Sequence, residues 1–260
     1  MKRLVRKTLK WTLIVFSVFF VLFLMQITAL AYPQPLFDHN VQYGSFVFYS
    51  DAPIDSGLDQ SLREVEVRLV GTELYDHTIT QHIFVCQKQS TYNIFRRLTF
   101  VPAHVPGFNI SLLDNSFVSA TLLNRRSQDN YAGITYSAIA GDIAQCISHE
   151  LVHDYAVARS GFFANRGLPR WKTEGYAEYA ASIALIRDDS TATLSSRIET
   201  LQSAFQDARP YEYYRGHLVV EYLAEYEGYS YDEIMADDVT LDDAYRRMML
   251  WHGKGRTAPI

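Results

Sequence analysis

Two regimes of apolar spacing divide the chain. From Trp11 to Phe37 no charged residue occurs, and the apolar core Leu13 to Leu30 is broken only by Ser17, Gln26 and Thr28. The run is apolar on every face, unlike the one-sided helix of a soluble core. A membrane span needs about 20 apolar residues and a signal-peptide core about 7–15, so the length favours a single anchor helix. Ala29-Leu30-Ala31, however, resembles a small-x-small cleavage site, which leaves a cleaved signal as the other outcome. In either case Lys2, Arg3, Arg6, Lys7 and Lys10 precede the span and no charge directly follows it. That asymmetry predicts a cytoplasmic N-terminus and an extracytoplasmic body, secreted if cleavage occurs.

Past the span the spacing shortens. Pro33 to Leu36 reads as an extended linker. Ser45-Phe46-Val47-Phe48-Tyr49 alternates as a half-buried strand does, and His82 to Cys86 and Phe117 to Leu123 are further strand candidates. Ser61 to about Val70 has helical spacing through Leu62, Val65 and Leu69. Asn124 to Asn130 reads as a polar loop. Helical spacing then takes over at Asp142 to Ala158, closed by Gly161, and at Pro169 to about Arg187, with Pro169 in the first turn. It continues at Leu194 to Ala208, Tyr213 to Tyr226 and Leu241 to Leu250. A strand-rich half followed by a helical half predicts an α+β fold. The expected divisions are 1–37 for the basic stub and span, 38–250 for one domain, and 251–260 for a flexible tail.

Composition narrows the function. Hydrophobic residues make up 48% and charged residues 20%, so the body is globular. A net charge of −5 offers no basic surface, and neither nucleic acid nor nucleotide is an expected partner. Cys86 and Cys146 are the only cysteines and form no zinc-knuckle or CxxC motif. An exported domain could pair them as a disulfide; two buried thiols are the alternative.

The chemistry gathers at His149-Glu150-Leu151-Val152-His153. Residues four apart share one helix face, so the two imidazoles can hold one zinc ion, and Glu150 beside them can reach the water that such an ion activates. Ile143, Cys146, Ile147, Leu151 and Val152 give the same helix an apolar face. Polar groups on a buried helix are costly without partners, and a metal supplies one. Glu174, 21 positions after His153, is the third-ligand candidate, in Leu168-Pro169-Arg170-Trp171-Lys172-Thr173-Glu174-Gly175-Tyr176-Ala177-Glu178-Tyr179. A metzincin would need Gly and His where the chain has Ala156 and Arg159. Asp154 points off the ligand face, and His217 has no motif behind it.

H-E-x-x-H followed by W-x-x-E-G-x-A-x-Y resembles the gluzincin metallopeptidases, the clan of thermolysin and aminopeptidase N. The likeness covers about Asp142 to Gly228 and only loosely the strand-rich half. It implies a zincin-like catalytic domain, one Zn2+ held by His149, His153 and Glu174, and Glu150 as general base in the hydrolysis of peptide or protein substrates. It also implies that Glu178, four residues after Glu174, steadies a ligand histidine; an ordinary exposed helical glutamate is the alternative. Pro210-Tyr211-Glu212-Tyr213-Tyr214-Arg215-Gly216-His217 resembles the Y-x-x-G segment of aminopeptidase N relatives, whose tyrosine stabilises the oxyanion. Counting back from Gly216 selects Tyr213, with Tyr211, Tyr214 and His217 as alternatives.

The chain departs from aminopeptidases in having no Met-Glu-Asn anywhere. An endopeptidase or processing protease is therefore the expected activity, with Phe117 to Leu123 as a candidate substrate-binding edge strand. The alternative is a membrane-anchored binding or assembly protein on the same scaffold, with a structural or vestigial metal site. Glu150 argues for the enzyme, because a purely structural site needs no general base.

Overall fold

A computed structural model of the protein describes residues 2–126, 142–188, 193–204, 209–236 and 238–254, without the side chains of 2–7, 124–126, 184–188, 200–204 and 209–213. The first apolar run forms one helix, α1 (Lys2–Ala31), whose segment Thr8–Ala31 is long and apolar enough to span a membrane or serve as a signal sequence. Gln34–Leu36 is a 3-10 turn rather than the extended linker expected, since prolines 33 and 35 fix φ at values a tight helical turn accepts.

Five strands form one mixed sheet: β1 (His39–Tyr43), β2 (Phe46–Ser50), β3 (Gln81–Cys86), β4 (Gly107–Ile110) and β5 (Asn115–Ser119), in the order β1-β2-β3-β5-β4. The central pairs β2–β3 and β3–β5 are parallel, and β1 and β4 add antiparallel to the two edges. Central parallel strands are covered on both faces, which is why β3 is buried along nearly its whole length. Phe46, Phe48, Ile83, Val85 and Val118 face one core, shared with α2 (Ser56–Leu69) and α5 (Ile143–Ser160). Phe84, Cys86, Phe108 and Phe117 face a second core, shared with α3 (Gln89–Leu98) and with Leu30 of α1. Aromatic stacking dominates that second core, with the Phe95 and Phe117 ring centroids 4.5 Å apart.

The second half is helical: α6 (Phe162–Gly167), α7 (Arg170–Asp188), α8 (Leu194–Ala204), α9 (Arg209–Glu221), a π-helical turn Tyr222–Tyr226, α10 (Tyr231–Met235) and α11 (Leu241–Gly253). The α+β expectation holds. Arg68, buried at the end of α2, joins the layers: its guanidinium donates to Asp142 Oδ2 at 2.6 Å and to the Ala181 carbonyl of α7 at 3.3 Å. Asp142 in turn caps α5 through Gln145 N–H at 2.6 Å.

Several elements differ from the sequence expectation. The strand expected to run to Leu123 stops at Ser119, whose hydroxyl accepts from Leu122 N–H at 3.3 Å and opens α4 (Ala120–Arg126). The same strand, β5, lies between β3 and β4, so its backbone is already paired and it is not an edge that could add a substrate strand. The edge on that side is β4. Helices α3, α6 and α10 were not expected, and α2 begins five residues earlier than its spacing indicated, where Asp55 caps Leu58 N–H at 2.8 Å. Residues 127–130 of the expected loop, 205–208 of the expected helix and 255–260 of the expected tail lie outside the described residues. Cys86 and Cys146 are both free thiols, the second of the two alternatives, with Cys86 buried and Cys146 half-buried.

Candidate metal centre

Two helices supply the site. α5 carries His149 and His153 one turn apart, and α7 carries Glu174 and Glu178 one turn apart. His149 Nε2 and His153 Nε2 lie 3.2 Å from one another, and Glu174 Oε2 lies 3.3 Å from the first and 3.8 Å from the second. Four donors at about 2.0–2.1 Å around a tetrahedral zinc stand roughly 3.3–3.4 Å apart; the first two separations match such an edge, and the 3.8 Å between His153 and Glu174 is somewhat longer. Two ring nitrogens aimed at each other across 3.2 Å need a shared cation or a proton between them. Among the described residues, these three form the one group suited to hold a metal ion.

Charge makes the same demand. Burial disfavours a charged His149, but the carboxylates of Glu178 and Glu174 overcome it and hold the imidazole well above its ordinary range. Burial likewise opposes charge on Glu174, yet hydrogen bonds from His149 and His153 hold its carboxyl well below the usual range. Three carboxylates, those of Glu150, Glu174 and Glu178, surround two imidazoles that are neutral when they ligate a metal. A divalent cation offsets that excess.

Glu178 Oε1 lies 3.3 Å from His149 Nδ1, the ring nitrogen turned away from His153. Its other oxygen accepts from Gln145 Nε2 at 3.4 Å, and the same amide reaches Ser182 Oγ at 3.3 Å. Glu178 is thus not an exposed helical glutamate. Its carboxylate stands behind a candidate ligand, where carboxylates stand in histidine metal sites.

Glu150 stands beside the cluster against β4. A Cβ on Gly107 would fall 2.7 Å from Cys146 Sγ and 3.0 Å from Glu150 Oε1, so the glycine makes the room that this carboxylate occupies. Burial pushes the Glu150 carboxyl up, against the pull of His149 and His153. That shift makes the carboxylate a stronger base, which suits a proton acceptor.

A polar brace fixes α5 to the sheet. Asn109 Nδ2 donates to the Glu150 carbonyl and to Asp154 Oδ1, both at 3.1 Å, and Ser116 donates to Asp154 Oδ2 at 3.0 Å. Asp154 therefore points away from the cluster, as expected. Burial lifts its carboxyl to about 7 despite hydrogen bonds from Ser111 and Ser116. Sequence reasoning did not find Asn109 or Ser116, because their role depends on strand pairing.

The oxyanion candidates separate. Tyr211 and Tyr213 lie in α9, with side chains outside the described residues. Tyr214 is buried and donates to the Arg197 carbonyl at 3.4 Å. His217 is buried on α9 beside Glu221, 3.7 Å from its Oε2, with Glu178 near enough to act on its charge. Arg159, at the position where a metzincin has histidine, pairs with Asp232 at 2.5 Å. The chain matches no protein-family model and no curated protein at a significant level.

Proposed function

We propose that this protein is a zinc-dependent peptidase of the gluzincin type, with a zincin-like domain held at a membrane by α1 and acting outside the cytoplasm on peptides or proteins. The observation that carries the reading is the convergence of His149, His153 and Glu174 donor atoms to within 3.2–3.8 Å of one another, with Glu150 alongside. Those three residues would hold the ion and leave a fourth position for water or substrate. When bound, zinc supplies a Lewis acid that polarises the scissile carbonyl and acidifies water.

The chain's own residues do the rest. Glu150 takes the proton of the attacking water and delivers it to the leaving amine. Glu178 keeps the proton of His149 on Nδ1, so that Nε2 is the ligating nitrogen. Tyr213 donates to the oxygen on which negative charge develops, the role that its place before Gly216 suggests. The free edge of β4 runs past Glu150 and is the natural place for an extended substrate to add as a strand.

The test is zinc quantification and peptide-library cleavage on the wild type and on Glu150→Gln together. One zinc per chain in both, with cleavage by the wild type alone, is the expected result. Absence of bound zinc, or equal cleavage by both proteins, refutes the reading. A wild type that binds zinc and cleaves nothing favours the binding or assembly alternative.

A further inference from the structure

We infer that the face of the domain carrying Phe100 and Leu112 is immersed in the outer leaflet of the bilayer that α1 crosses. The inference rests on the reading of α1 as a retained span.

α1 does not end as a free tether. The Gln26 side-chain amide donates to the Leu98 carbonyl at 2.5 Å, and Asn115 Nδ2 donates to the Leu30 carbonyl at 2.8 Å. Leu30 is buried in the second core with Phe37, Phe95 and Phe117. The last two turns of the span are therefore packed into the domain, and whatever lies beside them shares their depth.

The aromatic ends of the span set that depth. Trp11 and Tyr32 are both exposed, and 21 residues separate them. At about 1.5 Å per residue this is roughly 32 Å, close to the ~30 Å hydrocarbon thickness that interfacial aromatic residues bracket. Gln26 lies six residues before Tyr32, roughly 9 Å nearer the bilayer centre along the helix. The Leu98 carbonyl that it holds sits at that level.

The turn after Leu98 is built for such a place. Phe100 is 87% exposed and has a φ of +59°, an unusual conformation for a bulky residue. Leu112, in the β4–β5 turn three residues before Asn115, is 69% exposed. The last carbonyls of α3, which lipid could not solvate, are all satisfied. That of Phe95 accepts from Thr99, Arg96 from Val101 N–H, Arg97 from Phe100 N–H and Leu98 from Gln26. Arg97 is exposed on the same turn and long enough to reach lipid phosphate.

The experiment uses the full chain in liposomes of phosphatidylcholine and phosphatidylglycerol, with Cys146 replaced by alanine. Phe100→Cys, Leu112→Cys and Ser56→Cys each carry an environment-sensitive dye. Ser56 follows β2, whose end Ser50 pairs with Val85 at the opposite strand ends from Asn115. Blue-shifted emission at 100 and 112, quenched several-fold more by spin-labelled lipid than at 56, is the expected result. Aqueous emission at 100 and 112 with α1 intact and embedded overturns the immersion alone. Mature protein from cells that lacks α1 overturns both the anchor and the immersion.

Discussion

Gly175 and Gly216 bring α7 and α9 into backbone contact beside Glu174. A Cβ on Gly175 would fall 2.7 Å from both the carbonyl carbon and the oxygen of Gly216, and one on Gly216 would fall 3.0 Å from the Trp171 carbonyl oxygen. No flexible side chain is present to yield, so an added methyl must separate the helices. Gly175→Ala should cost about 1–3 kcal/mol of stability and lower zinc content by shifting Glu174. Gly167, with no atom within 4 Å of its would-be Cβ, is the control. Urea unfolding in detergent, with metal analysis, checks both; equal behaviour of the two variants contradicts the packing argument.

On the proposed function, Glu178 acts through His149 rather than on a substrate. Glu178→Ala should weaken zinc binding roughly 10–100-fold, the usual effect of losing a carboxylate behind a ligand histidine. Gln145→Ala should do less, because it leaves the Glu178 carboxylate in place and removes only hydrogen bonds behind it. Competition with a chromophoric chelator measures both affinities. An unchanged affinity in Glu178→Ala removes the orienting role.

The metal-ligand candidates were legible because helix geometry is local. Once His149 and His153 share a helix, their common face follows from a spacing of four, and the same rule joins Glu174 to Glu178. The brace around Asp154 was not legible, because Asn109 and Ser116 reach it only after β4 pairs with β5. β4 itself has four residues, too few for alternation to register. Phe117 to Leu123 misled for another reason: its β-branched and apolar residues suit a strand throughout, and a single serine hydroxyl decides where the helix begins. Gly107 gave no sign of its purpose, since its neighbour Glu150 is 43 positions away.

Removing the metal should destabilise the domain. An ion at about 100 times its dissociation constant adds about 2.7 kcal/mol to the folded state. Its loss also leaves Glu150, Glu174 and Glu178 facing one another around two imidazoles. The melting temperature should fall in chelator and recover with zinc. The fall should be smaller in Glu150→Gln, which carries one buried carboxylate fewer. Scanning calorimetry of both proteins with and without chelator tests this, and a chelator-insensitive wild type contradicts it.

His217 gives the fold an acid-sensitive point behind the candidate ligands, next to Glu178. Its ring is buried, and neither nitrogen has a hydrogen-bond partner among the described residues. Arg197, Glu178, Glu221 and Tyr214 surround it. Burial, aided by Arg197 and opposed by Glu178, lowers its pKa to about 3 from an ordinary 6.5. Below pH 6.5 the unfolded chain takes up a proton that the folded one refuses. Stability is therefore complete above that pH and is lost progressively as the pH falls toward 3. At pH 4.5 the loss from this residue is about 2–3 kcal/mol. In metal-free protein, His217→Gln should shrink the stability difference between pH 7 and pH 4.5 by about that amount, measured by urea unfolding in detergent. An identical pH dependence in the variant means that His217 is not the group responsible.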